Sequence, residues 1–200
     1  PDDMNFAEKI SEMAENCLVM ITKAEPDAMF EILKQYYSEN RNNSKPKDRY
    51  SALISFRTIV SISEIEEFDF IEQELESIFK FALNINEKLK YVSIKILKRI
   101  LKKSPFIIIN NEEKVKKLLE IIQANQKSHS LILTECYNIL ALILKHLSQP
   151  NSKFIYDNFD SFYSFISQAS DDPDVQNAAT DSFIELVDKA PINNNSYDCS

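Results

Sequence analysis

The chain has 200 residues, a formal net charge of −8 and no glycine. That length allows one or two domains with a buried core, and an acidic balance disfavours a general nucleic-acid binder, which needs a basic stripe. The lack of glycine excludes the P-loop and dinucleotide-binding fingerprints, whose backbone must pass close to phosphate, and argues against a hairpin-rich β fold.

With 44% hydrophobic and 27% charged residues, the composition is that of a soluble globular chain whose partners would carry basic segments. Cys17, Cys136 and Cys199 show no metal or disulfide spacing. Cys17 and Cys136 lie in apolar helical runs and are expected to be small core residues in a reducing compartment. No run is long enough for a membrane span. Residue 1 is Pro rather than Met, which predicts an excised piece of a longer chain, so a missing targeting segment says little.

Residues 4–24 predict a helix with Ile10, Met13, Ala14, Cys17, Leu18 and Ile21 on one face. Pro26 sits well in a first turn, and a helix follows over 27–40 with Met29, Ile32, Leu33 and Tyr36 inward. A polar turn at 41–45 leads to a helix over 46–62 that Pro46 starts. After an acidic connector at 63–68, a helix over 69–83 buries Ile71, Leu75, Ile78 and Phe79. Residues 87–103 form the next helix, ended by Ser104-Pro105. Phe106, Ile107, Ile108 and Ile109 resemble a strand, but with no partner strand a loop over helix ends is expected. Helices over 112–124, 130–147, 152–168 and 174–189 complete the series, the third with Ile155, Phe159, Phe162 and Ile166 in helical spacing. That makes nine helices, and the tail at 191–200 is expected to fray.

A period runs through the set. Leu18, Phe56, Leu97, Leu140 and Phe183 are equivalent anchors, spaced by 38, 41, 43 and 43 residues. Four residues before each anchor stand Ala14, Ala52, Ser93, Cys136 and Ala179, all small. Three residues after stand Ile21, Ile59, Ile100, Ile143 and Leu186, all branched aliphatics. Both offsets share a helix face with the anchor, so a small residue admits a close neighbour while the large ones fill the layer. The expected fold is an all-α, right-handed superhelical HEAT/ARM-type solenoid over 1–190, of about four and a half helix pairs. Its second helices lie near 4–24, 46–62, 87–103, 130–147 and 174–189. The first of these lacks its partner and neither end carries a polar cap, which again predicts a piece of a longer array.

The order of these features narrows the expectation. Asn16 to Ile21, then Asp48-Arg49-Tyr50-Ser51-Ala52-Leu53-Ile54-Ser55-Phe56, Leu75 to Leu83, Lys90 to Ile100 and Asn177 to Val187 together resemble the central HEAT repeats of importin beta and its karyopherin-beta relatives. The likeness spans nearly the whole chain on a degenerate motif. It departs where Pro46 replaces the Trp frequent before the Arg-x-x-Ala of such helices, and only Asp2-Asp3 could be a remnant of the family's acidic loop. The resemblance implies a nuclear transport receptor of cytoplasm and nucleus. Its concave wall would hold cargo or the GTPase Ran, and its convex grooves would take Phe-Gly repeats of nucleoporins. The alternative is a HEAT/ARM scaffold of another complex, such as a phosphatase scaffold, an adaptor or a condensin-like subunit.

Two protein-binding candidates stand out. Lys88, Lys95, Lys98, Arg99, Lys102 and Lys103 lie opposite Ser93, Leu97 and Ile100. They would form a docking strip for an acidic partner segment, or else a solvated face whose cations suit the helix C-terminus. Tyr156 and Tyr163 point away from the Phe159/Phe162/Ile166 stripe and could line a Phe-Gly groove, or else pack on a neighbouring helix. Glu64, Glu66, Glu67, Asp69, Glu72, Glu74 and Glu76 read as a solvated acidic face, or a lure for basic cargo. His129 and His146 have no ligand partners at metal spacing, and His146 is expected to meet carbonyls at its helix end. No acid–base pair marks an enzyme, no cofactor is implied, and a HEAT-fold glycosylase is disfavoured by the acidic charge.

Overall fold

The structure, a computed structural model, describes residues 2–22, 24–64, 68–147 and 152–189, without the side chains of 2–8, 10, 11, 152 and 156. The tail at 191–200 and part of the 63–68 connector lie outside the described residues. Everything regular in the described part is helical: α1 (Asp2–Thr22), α2 (Pro26–Asn40), α3 (Pro46–Ile62), α4 (Phe68–Ala82), α5 (Glu87–Lys103), α6 (Phe106–Ile109), α7 (Glu112–Ala124), α8 (Ser130–His146), α9 (Ser152–Ile166) and α10 (Pro173–Lys189).

The chain starts and stops these helices without glycine. Pro26 and Pro46 take first-turn positions whose N–H needs no partner. Side chains cap others: Asn86 accepts from the backbone of Lys88 and Leu89, Asn111 from Lys114, and Asp172 from Asp174 and Val175. No described residue has positive φ, so the left-handed C-cap that glycine favours is not used there.

The apolar run after Pro105 is one helical turn, α6, rather than a loop. Ile108 and Ile109 donate to the Pro105 carbonyl at 3.0 and 2.8 Å. The turn pairs its own backbone, which lets Ile107, Ile108 and Ile109 be buried. That makes ten helices among the described residues where nine were expected.

Packing follows an alternating order. Pairs form between α2 and α3, α4 and α5, α7 and α8, and α9 and α10. The second members then meet in sequence, α1 on α3, α3 on α5, α5 on α8 and α8 on α10. The small-residue column sits at these crossings: Ala52, Ser93 and Cys136 are fully buried, as are Phe56, Leu97, Ile59 and Ile143. In α10, Ala179 and Leu186 are buried while the anchor Phe183 is 41% exposed.

Two helix faces differ from expectation. In α2 the buried residues are Phe30, Leu33 and Tyr37, while Ile32 and Tyr36 are exposed. The rings decide this: Phe30 and Phe70 meet edge-on at 6.4 Å, and Tyr37 lies 4.7 Å from Phe56. Such pairs add to the area they bury, so the helix turns to place its rings inside. Among the described side chains of α1 the inward ones are Glu15 and Thr22, with Leu18 and Val19 half-buried, while that of Ile10 lies outside them. Met13 is 69% and Ile21 56% exposed, and Ala14 and Cys17 are exposed too. Charge pairing sets that orientation, as described next.

Candidate protein-binding faces

The basic face of α5 is largely engaged within the chain. Lys95 reaches Glu12 of α1 at 2.6 Å. Lys98 pairs with Glu135 of α8, in a setting where burial lowers the lysine's pKa and Glu135 opposes the shift. Arg99 pairs with Glu15 of α1 and donates to Ser61 Oγ at 2.5 Å. Lys103 donates to the Ser61 carbonyl at 2.8 Å. Lys88 and Lys102 are exposed, and Lys102 borders a groove described below.

Glu15 is the centre of this network. Its second oxygen lies 2.6 Å from Nη2 of Arg57, a side chain 1% exposed in the middle of α3. One buried carboxylate is therefore held between guanidinium groups from α3 and α5. Desolvating such charges is costly, and only close geometry on both sides compensates. The sequence signal was available for Glu135, the lone acid in a largely apolar helical stretch where an acid needs a partner, but not for Glu15, which stands beside Asn16 and near Glu12.

The acidic residues around α4 serve the other layer in the same way. Glu74 pairs with Arg41 and accepts from Tyr37 Oη at 3.2 Å. Glu72 pairs with Lys114, and Glu76 with Lys117 at 2.6 Å, both lysines lying on α7. Glu64 and Asp69 are exposed, and Glu66 and Glu67 lie outside the described residues.

On α9, Tyr163 is 51% exposed and its ring lies 6.4 Å from Phe183 of α10. Two half-open aromatic rings thus share one surface. The side chain of Tyr156 lies outside the described residues. Phe162 and Phe165 are buried, the latter 4.7 Å from Tyr137. His129 caps α8 by accepting from the Leu131 N–H at 3.3 Å. Burial and Lys145 lower the pKa of His146, with Glu185 acting against them. Cys136 is buried and its thiol is pushed up to about 12, whereas Cys17 is exposed rather than in the core.

Three grooves lie between successive helices. One of about 430 Å³ runs between α2 and α4, with Phe30 and Phe70 beside Lys34 and with Asp27, Glu31 and Asp69 at its edge. Lys34 lies over both rings, 5.8 and 5.2 Å from their centres. A second, of about 280 Å³, is lined by Ile109, Val115, Leu147 and Phe154 with Asn110 and Glu112. The third, of about 260 Å³, crosses α5, α8 and α10 and sets Lys102 and Lys145 beside Asp181 and Glu185. Among the described residues no helix is long and apolar enough to cross a membrane, and no cluster of three His, Cys, Asp or Glu side chains could hold a metal ion. No family model matches the chain, and no curated protein matches it.

Proposed function

We propose that the chain is a right-handed superhelical HEAT-type array that binds proteins and, by its resemblance, a segment of a karyopherin-beta nuclear transport receptor. The observation that carries the first part is the spacing of the contacts between layers. Lys103 to the Ser61 carbonyl, Lys114 to Glu72, Lys117 to Glu76, Asn125 to the Ala82 carbonyl, Gln126 to Gln168 and Ser182 to the Tyr137 carbonyl all span 41 to 45 residues. One step in sequence joins each helix pair to the next, which is how a repeat array builds a continuous core. Such an array presents a long surface, which suits protein ligands.

The transport reading takes support from the two grooves between first helices. The α2/α4 groove is lined in part by Phe30 and Phe70, and the groove beside Phe154 by Ile109, Val115 and Leu147 with Asn110 and Glu112. Either suits an aromatic side chain of a Phe-Gly segment. A scaffold in another complex is favoured by a different observation. Lys95, Lys98 and Arg99 are already paired inside the chain, which leaves less of the α5 strip for cargo.

The intact parent protein separates these readings. A transport receptor is expected to bind Ran loaded with GTP and, independently, a Phe-Gly peptide. Failure of both, with stable recovery of a phosphatase or coat complex instead, would leave the scaffold reading and end the transport one.

A further inference from the structure

Over the described side chains of residues 12–22, helix α1 turns acidic ones inward and several apolar ones out. Its buried acid, Glu15, lies between Arg57 and Arg99, and Glu12 meets Lys95 at 2.6 Å. Met13, Met20 and Ile21 are 69%, 72% and 56% exposed, and apolar contact inward comes from the half-buried Leu18 and Val19. Among the described side chains of the helix, ion pairs are therefore the main inward contacts. These pairs also reach unusually far along the chain. Lys95–Glu12 and Arg99–Glu15 span 83 and 84 residues, about twice the step that joins the other layers, so the acids of α1 reach α5 while Glu15 also holds Arg57 of α3.

We propose that Arg57, Lys95 and Arg99 form a binding groove for an acidic amphipathic helix of a protein partner, and that α1 is its built-in, exchangeable occupant. The chemistry selects the ligand. Arg57 is almost wholly buried, so losing the Glu15 carboxylate is strongly destabilising and simple opening is disfavoured. Exchange for another carboxylate is not. Glu12 and Glu15 stand three positions apart, which places both on one helix face, so a competitor needs two acids at that spacing. Guanidinium groups favour planar carboxylates in defined directions, which favours an ordered helix over a diffuse polyanion. Lys98 is outside the groove because Glu135 of α8 holds it. The proposal concerns this inner face alone and stands whether or not the parent protein is a transport receptor.

The test uses the full chain and, as probe, a synthetic peptide of residues 2–22 with a control carrying Gln at both acid positions. Hydrogen exchange is followed across α1, α3 and α5. With saturating probe, the amides of the chain's own α1 are expected to exchange about tenfold faster or more, while α3 and α5 stay unchanged. Glu12→Gln, at a half-exposed acid, is expected to tighten probe binding about fivefold by weakening the occupant alone. Lys95→Glu is expected to weaken it. The proposal fails if α1 exchange is unmoved by the probe. It fails equally if the Gln control or an unstructured oligonucleotide does the same as the acidic peptide, since that would mark crowding or unspecific charge.

Discussion

Lys98 and Glu135 show what a single residue pair contributes here. The lysine is one of six cations on one face of a helical run, and spacing alone makes them equivalent. The structure separates them, because Lys98 faces an acid on α8 with side-chain exposures of 19% and 10%. Burial lowers its pKa, so the pair has lost hydration and depends on its geometry. Removing one member then leaves the other desolvated and unpaired. Lys98→Met is expected to cost roughly 1–3 kcal/mol, and Glu135→Leu a similar amount. The double variant should recover most of that loss, because two apolar groups of similar size suit the site. Urea unfolding of the four proteins gives the coupling energy, and additive losses would mean that the pair is not energetically linked. None of this was legible in the α5 run itself. The distances depend on a helix 37 residues away, and Glu135 signalled its role only by being the lone acid in an apolar stretch.

At the level of elements, boundaries and partners were largely legible, while rotation was not. The helices over 46–62, 87–103 and 112–124 begin and end where Pro, Asn and Ser place them. The faces of α1 and α2 are turned, because period counting weighs Met13, Ile21, Ile32 and Tyr36 as core by hydrophobicity alone. It cannot weigh a carboxylate that two arginines draw inward, or a ring such as Tyr37 that finds Phe56 and Phe70. The small-residue column makes this testable. Ala52 is fully buried at the α3 crossing, whereas Ala14, its equivalent in α1, is exposed. Ala52→Leu is expected to cost about 1–3 kcal/mol or more by overpacking a filled crossing. Ala14→Leu should stay within about 0.5 kcal/mol of the parent chain. Equal effects at both sites would show that the column is a sequence coincidence and not a packing device.

For the molecule as a whole the question is whether stability is shared by one core or passed between neighbours. In an array, stability is close to a sum of units and interfaces, so its cooperativity depends on the weakest interface in the middle. Helix α5 occupies that position, meeting α3 on one side and α8 on the other. Leu97 is fully buried there, and Leu186 is a fully buried leucine of α10. Truncating either to Ala removes the same side chain and costs about 2–5 kcal/mol locally. The consequences should differ. Leu97→Ala weakens the joint between halves, so urea unfolding should split, with tyrosine fluorescence and far-UV circular dichroism no longer coincident and each slope below that of the parent chain. Leu186→Ala should loosen only the end, leaving the main transition and its slope in place. A single undivided core would answer both substitutions alike, with one coincident transition shifted to lower urea and an unchanged slope. That outcome for Leu97→Ala would count against a repeat array, despite the 41 to 45 residue steps that join its layers.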